Sequence, residues 1–382
     1  MGACGVRMLQ LSMRGGEVQA KAAAFAPLPN DLRLDTPEYS DALSAAIQSA
    51  YHRGGFTGNR VVSSLPVSAM QCKNLRLPMM PADELDSAVQ WEAADRFRMG
   101  EGQCSVQYMH AGQVNQGDEV RQELILLAAK LGLVESHVAA LTGNSLRPVA
   151  IDSVPSALAR LSVMRHALLS ETHDASMVNV TLDVGQSSTK VLIALDAQVR
   201  FYKPIEIGGG SFESVLSGAM SISLDESRDL LRALGSPPTH DETQPQEERL
   251  GEATRTAVME ALRPTLGELA REIGLCLRYY GVTFRGARPS RAQLVGGAAT
   301  PWLASALSES TGLTLGLDQP LGGMDLSAVR DTVRPGSEGA WAVAAGLSIR
   351  EHMKHFATKP QASESDDESV FEQTPRSEGV AA

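Results

Sequence analysis

The segment Leu182-Asp183-Val184-Gly185-Gln186-Ser187-Ser188-Thr189 joins two alternating runs. Before it, Val178, Val180, Leu182 and Val184 alternate with Asn179, Thr181 and Asp183, the period of a half-buried strand. Gly185 to Ser188 breaks the run as a turn, and Thr189, Val191, Ile193 and Leu195 then share one face of a second strand. Asp196-Ala197-Gln198 turns again, and Val199 to Ile207 forms a third strand. Pro204, which cannot donate to a ladder, predicts an edge position for it. An antiparallel meander around a Gly/Ser turn is the result. An Asp that ends a strand can hold a metal through water. Gly185 lets a backbone come close, and residues 186–189 add amide and hydroxyl donors for phosphate oxygens.

Two further glycine clusters follow. Gly208-Gly209-Gly210-Ser211 stands directly before a helical segment and offers a backbone cradle near a helix N-terminus. Leu294-Val295-Gly296-Gly297 reads as a short strand ending in a double glycine. One such cluster is usually only a turn; three in this order, at strand ends, form a pattern. Between and after them the sequence predicts helices. Ser223 to Glu226 has capping-box spacing, with Gly235 closing that helix. Val258, Leu262, Leu266, Leu269, Ile273, Leu277 and Tyr280 form one apolar stripe, which Pro264 should kink or split. Thr300 caps a helix with Pro301 at its first position and Gly312 after its end, and a last helix begins near Ser337.

The first half holds a faint copy of the meander. Gly2 falls on Gly185, and Val6-Arg7-Met8-Leu9 falls on Thr189-Lys190-Val191-Leu192; Gly15-Gly16 turns, and Val18 to Phe25 returns. Two related units half a chain apart imply a duplicated, two-lobed α/β protein. The strand that should precede Gly2, with its Asp, has no match in the sequence.

Composition limits the function classes. At about 150 residues per domain, 382 residues hold two or three domains. The net charge of -11 argues against a nucleic-acid partner, because phosphate neutralisation needs clustered Lys and Arg. No run of 18 apolar residues predicts a membrane span; the most apolar, Leu124 to Leu133, is interrupted by Lys130. Met1-Gly2-Ala3-Cys4 lacks the pattern of a secretion signal, and four scattered cysteines point to a reduced, cytosolic compartment. Cys104 and Cys276 read as small packing residues, and Asp83, Glu84 and Asp86 as the polar first turn of a helix. His352-x-x-His355 has no third ligand nearby and reads as a solvated helix end. From 357 to 382 six acids stand among Ser and Pro with no apolar period, so this tail is expected to be disordered.

Asp183-x-Gly185-x-x-x-Thr189, Ile207-Gly208-Gly209 and Val295-Gly296-Gly297-Ala298 resemble the second phosphate loop, connecting segment and adenosine loop of the actin/heat-shock ATPase superfamily. Within it, Lys73-Asn74-Leu75-Arg76-Leu77-Pro78, Trp91-Glu92-Ala93, Ile151-Asp152-Ser153-Val154-Pro155 and Trp341-Ala342-Val343-Ala344 are similar to the PilM family of type IV pilus assembly proteins, relatives of FtsA. The resemblance implies a two-lobed actin-like (ribonuclease-H-like, duplicated) α/β fold. It would have a first lobe at 1–175 with a small subdomain inserted at about 70–147, and a second lobe at 176–356. It implies ATP or ADP with Mg²⁺ on Asp183, Gly185, Gln186, Ser187, Ser188, Thr189, Gly208, Gly209, Gly210, Gly296 and Gly297, with Asp183 reaching the metal through water. Leu231, flanked by Arg228 and Arg232, stands where such chains carry a Lys near the base. Members open with a strand bearing Asp-x-Gly, so the in-frame sequence ahead of Met1 is expected to encode one.

The expected function is a non-enzymatic, nucleotide-binding scaffold, cytoplasmic and peripheral at the inner membrane. It would bind the N-terminal tail of a PilN-like bitopic membrane protein between the first lobe and the inserted subdomain, and could self-associate. Trp91 and Leu77 either fill the subdomain core or touch that partner. The alternatives are the actin-like module of a type II secretion or MSHA-type system, and a small-molecule kinase of the superfamily. A kinase needs a carboxylate base beside the γ-phosphate, and no matching acid-bearing motif stands in the first half.

Overall fold

The computed structural model describes residues 1–29, 32–97, 103–169, 178–235, 250–286, 288–334 and 336–353. The acidic tail, His355 and most of the 235–249 loop lie outside these residues. The chain opens with a hairpin: β1 (Gly5–Arg14) and β2 (Glu17–Pro27) pair antiparallel across Gly15 and Gly16, whose φ of 60° and 89° suit a tight hairpin turn. α1 (Pro37–Gly54) follows. Thr36 caps its start and Gly55, at φ 67°, stops it. Leu43, Ala46, Ile47 and Ala50 form its buried stripe and pack on Val6, Ala24 and Ala26 of the hairpin.

β3 (Arg60–Ser63) then leaves the lobe for an inserted unit. β4 (Met70–Pro78), α2 (Ala82–Phe97), β5 (Cys104–Gln116) and β6 (Glu119–Lys130) form an antiparallel sheet of order β4-β6-β5 with one covering helix. Leu85, Val89, Ala93 and Phe97 of α2 bury against Leu75, Leu77, Leu124 and Leu126. Leu77 therefore fills the subdomain core, whereas Trp91, on the far side of α2, is 74% exposed.

The sheet-and-helix unit ends at Lys130, short of the expected 147. α3 (Leu131–Gly143) places Ala140 and Leu141 in the same cluster as α1, so it belongs to the first lobe. β7 (Arg147–Ile151) pairs parallel with β3, and α4 (Val154–Leu169) leads to the second lobe.

There the meander appears as β8 (Val178–Val184), β9 (Thr189–Leu195) and β10 (Gln198–Ile205). α5 (Gly209–Met220), α6 (Leu224–Gly235), α7 (Glu252–Phe284), β11 (Arg291–Val295), α8 (Pro301–Thr311) and β12 (Thr314–Leu317) complete the lobe, and α9 (Ala342–Ser348) packs back on α4 and on β1 of the first lobe. The five-stranded sheet has the order β10-β9-β8-β11-β12, with β11 parallel to both neighbours. Pro204 sits on edge strand β10, as its missing N–H requires.

The central strands differ from the half-buried expectation, because both faces are covered. Val180, Leu182, Val191 and Ile193 share a core with α5, α7 and α8, while Leu192 and Ala194 share one with Leu158 and Met164 of α4. Pro264 does not split α7, which runs unbroken for 33 residues. Burial of Leu262, Leu266, Leu269 and Ile273 along one stripe offsets the roughly 3 kcal/mol that an interior proline costs. The capping box is present: Ser223 N–H donates to Glu226 Oε2 at 2.8 Å, and Glu226 N–H to Ser223 Oγ at 3.2 Å.

Candidate functional site between the lobes

The turn after β8 is locked from beneath. Gly185 N–H donates to Ser188 O at 2.9 Å, and fully buried Thr189 donates its hydroxyl to Ile207 O at 2.7 Å. Gly209 and Gly210 donate their N–H groups to the carbonyls of Gly185 (2.9 Å) and Gln186 (2.8 Å). A Cβ at Gly208 would lie 2.6 Å from both of those oxygens, so only glycine permits this approach. The start of α5 thus clasps the turn. Thr189 and Gly208 act as supports, and Gly209 lines a neighbouring pocket of about 340 Å³ with Leu231, Arg232, Thr300 and Trp302. The Gln186 side chain turns the same way, donating to Glu213 Oε2 at 2.9 Å. Arg228 also binds Glu213, at 3.0 Å, and that carboxylate raises the guanidinium's pKa.

Gly296 holds the other wall. Its φ of 105° and its contacts leave no room for a side chain, since a Cβ would strike Val184 O and Asp183 Oδ1. Its N–H donates to Gly339 O at 3.0 Å, and Ala298 N–H donates to Val184 O at 3.0 Å. Three segments distant in sequence are thereby stitched together at the ends of β8 and β11.

The result is a cleft of about 190 Å³ between the lobes. Asp183, residues 185–188, Gly296 and Gly297 line one side; residues 1–5 and Arg7 line the other. Asp183, only 5% exposed, is the one carboxylate lining the cleft among the described residues. Its Oδ2 lies 3.3 Å from Lys190 Nζ. Arg7 packs over the Phe25 ring at 4.4 Å. Burial lowers its pKa, and Asp183 works in the opposite direction. Sequence reading matched Arg7 to Lys190 through the internal repeat but gave neither a role. The repeat was the available signal, since it puts one cation from each lobe into the same cleft.

This donor set suits a nucleotide's phosphates. Two cations face the space, and the glycines keep side chains out of it. A magnesium ion fits Asp183 less freely, because Lys190 already neutralises that carboxylate and would have to give way. The remaining candidates are quiet. Burial pushes the Cys72 thiol up to about 12 and Cys276 up to about 11, which leaves both protonated and unreactive. Among the described residues no group of three or more His, Cys, Asp or Glu side chains is placed to hold a metal. No described helix is long and apolar enough to cross a membrane.

A second concavity, about 510 Å³, lies between the first lobe and the inserted sheet. Leu28, Leu34 and Tyr39 face Ala69, Gln71 and Ala128 across it, with Arg33, Asp35 and Lys130 in its lining. Gly2, Ala3 and Ser187 line both this groove and the cleft, so the two spaces adjoin.

Comparison with known proteins assigns the whole. Residues 1–352 match the family model described as type IV pilus assembly protein PilM. Comparison with curated protein sequences returns no significant match. Among solved structures the chain is similar to one described as the PilM-PilN type IV pilus biogenesis complex. The TM-score is 0.72 and the identity 23%, over 92% of this chain and 96% of that one. Weaker likenesses are to Ta0583, an archaeal actin homologue (TM-score 0.40, 16% identity, 91% of each chain), and to the ethanolamine utilization protein EutJ from Carboxydothermus hydrogenoformans (TM-score 0.37, 15% identity, 56% of this chain and 60% of that one). The fold is shared with the first of these structures over 92% of this chain, and with the family match running from residue 1 to 352 the chain belongs to the PilM family of type IV pilus assembly proteins.

Proposed function

We propose that the chain is a nucleotide-binding scaffold at the cytoplasmic face of the inner membrane. In this reading it binds ATP or ADP in the interlobe cleft, and in the groove beside it the N-terminal tail of a PilN-like bitopic membrane protein. The observation that carries the nucleotide half is the convergence of Asp183, residues 185–188, Gly296, Gly297, Arg7 and Lys190 on one cleft. Lys190 and Arg7 would hold phosphate oxygens, and Asp183 a magnesium ion through water. Gly209, Leu231 and Thr300 would border the nucleoside in the adjoining pocket.

The groove supports the partner half. An apolar floor with charges of both signs in its lining suits capture of an extended peptide by apolar anchors. A chain that matches this one over most of its length belongs to a complex described as PilM-PilN. A scaffold role, with ATP turnover slow at most, is favoured over a kinase because Asp183, the one carboxylate lining the cleft among the described residues, is held by Lys190 rather than poised as a base. Self-association on the membrane is compatible with this reading.

The test is calorimetric titration of the purified chain with ATP and ADP, with and without Mg²⁺, alongside a phosphotransfer assay. Saturable binding without turnover at kinase rates, about 1–100 s⁻¹, supports the scaffold. Fast turnover, or no nucleotide binding at millimolar ligand, refutes it.

A further inference from the structure

Past Pro264, α7 presents a face that its own lobe leaves open. Arg271, Leu275, Arg278, Val282 and Arg285 recur at four and three residues, so they form one stripe on the side opposite the buried Ile273, Leu277 and Tyr280. All five are exposed, Leu275 at 40% and Val282 at 75%. Gly274 and Gly281 flank the stripe. A Cβ at Gly274 would meet nothing within 4 Å, and one at Gly281 only a backbone oxygen at 4.0 Å. Neither glycine makes room for a neighbour within the described residues, although each costs about 1 kcal/mol against alanine in a helix interior.

The stripe is basic in a chain whose net charge is -11. Arg278 and Arg285 enter no salt bridge among the described residues. Past Glu268 the one acid of α7 is Glu272, which Lys203 Nζ holds at 2.9 Å and Arg271 reaches at 3.3 Å. Successive arginines stand seven residues apart, about 10.5 Å along the helix axis. The sequence holds an acidic run of matching length, outside the described residues. From Glu364 to Glu372 it carries five acids and no base, with Val370-Phe371 as an apolar pair. Extended, this run spans about 26 Å, against about 21 Å from Arg271 to Arg285. It is also within reach. Phe284, at the end of α7, and Met353, the last described residue, pack against the same core cluster. The steps from Met353 to Glu364 cover up to about 36 Å, more than the roughly 30 Å diameter of a small domain.

We propose that this face of α7 is the docking site of the chain's own segment 364–372, held within one molecule as a latch. The segment arrives at the C-terminal end of α7 and runs toward Arg271. Glu364 then meets Arg285, Asp367 and Glu368 meet Arg278, and Glu372 meets Arg271. Val370 and Phe371 lie over Leu275 and the notch at Gly274. Charge-assisted hydrogen bonds set the register, and the two small apolar pairs add burial. A composition that cannot build a core alone can still order on a surface that is in place. Every ion pair of the latch lies at the surface, so salt weakens it and its closure is reversible. Release exposes an Arg-lined apolar face, which makes the segment a switchable cover. The proposal is independent of the nucleotide and PilN readings.

The test is limited proteolysis of the full chain with a glutamyl endoprotease, with cleavage after Glu372 followed by mass spectrometry at about 0.05 M and about 1 M salt. The parent is compared with Arg278→Glu, and with a charge swap that adds Asp367→Arg and Glu368→Arg to that variant. Thermal melts verify that each is folded. Cleavage reports the open population when the latch exchanges faster than the protease cuts. The proposal expects the parent to be cut at least about fivefold more slowly than Arg278→Glu at low salt. It expects no difference at high salt, slow cleavage regained in the swap, and rates independent of protein concentration. Equal cleavage of parent and Arg278→Glu at low salt overturns the proposal. It does so also if vesicles of anionic lipid bind the parent and not the variant, which would make the face a lipid surface. A swap that stays fast overturns the register, and with it the site. Protection that grows with protein concentration overturns the latch, because the segment then docks on a second copy.

Discussion

Lys190 Nζ lies 3.3 Å from Asp183 Oδ2, and both side chains are close to fully buried beside the interlobe cleft. Removing one partner of such a pair leaves an uncompensated charge. Lys190→Met should therefore cost about 3 kcal/mol of stability in denaturant titration. Mg²⁺ alone should then stabilise the variant more than the parent, because it replaces the lost cation beside Asp183. Asp183→Asn should instead weaken Mg²⁺-dependent ATP binding; equal affinity of this variant and the parent in calorimetry would remove Asp183 from the metal's account.

Gly296 makes a sharper stability test. At φ 105°, with Val184 O and Asp183 Oδ1 where a Cβ would stand, Gly296→Ala combines backbone strain with a clash. A loss of about 2 kcal/mol or more is expected, together with loss of nucleotide binding. Gly267→Ala, on α7 with nothing near its Cβ position, should be neutral or stabilising. Similar melting curves for the two variants would contradict the geometry at Gly296.

Glu123, 1% exposed, ties the inserted subdomain to the second lobe. It accepts from Arg76 Nε at 2.8 Å, from Asn74 Nδ2 at 3.3 Å and from the Tyr279 hydroxyl of α7. Glu123→Ala should cost about 3 kcal/mol and Tyr279→Phe about 1 kcal/mol. Tyr279→Phe should also raise proteolytic cleavage between subdomain and lobe. A Glu123→Ala change within 0.5 kcal/mol of the parent, the ordinary scatter of a surface substitution, would show that the tie carries little.

His137 gives a pH signature. Burial lowers its pKa from 6.5 to about 4, with Nε2 held 2.9 Å from Ser63 Oγ. Between pH 6.5 and 4 the unfolded chain binds a proton that the folded chain refuses, so stability falls as pH falls through this window. The span of about 2.5 pH units corresponds to about 3 kcal/mol. His137→Gln should flatten that part of the stability profile relative to the parent. Parallel profiles for the two would place the acid sensitivity elsewhere.

Local signals made much of this molecule legible. Thr300, Pro301 and Gly312 bracket α8 where caps and φ constraints put them, and the 178–207 alternation yields three strands in the expected order. What stayed hidden depends on contacts between distant segments. Alternation could not show that β9 is covered on both faces, since α4 comes from elsewhere in the chain. The glycines at 209 and 210 read as ligand donors, but their N–H groups found the carbonyls of residues 185 and 186 first. Arg7 and Lys190 sit in ordinary strand positions, and only the closing of the two lobes brings them to one cleft.

The central claim is that a PilN-type tail binds the groove between the first lobe and the inserted sheet. Its most direct test is titration of a labelled cytoplasmic N-terminal peptide of a PilN-type protein against the full chain and two variants. Ala69→Arg fills the groove, while Val282→Arg alters a residue of α7 that is 75% exposed. Thermal melts verify that each variant is folded. The account predicts saturable binding to the parent and to Val282→Arg, weakened at least about tenfold, or 1.4 kcal/mol, by Ala69→Arg. Undiminished binding to Ala69→Arg, or none to the parent, would contradict it.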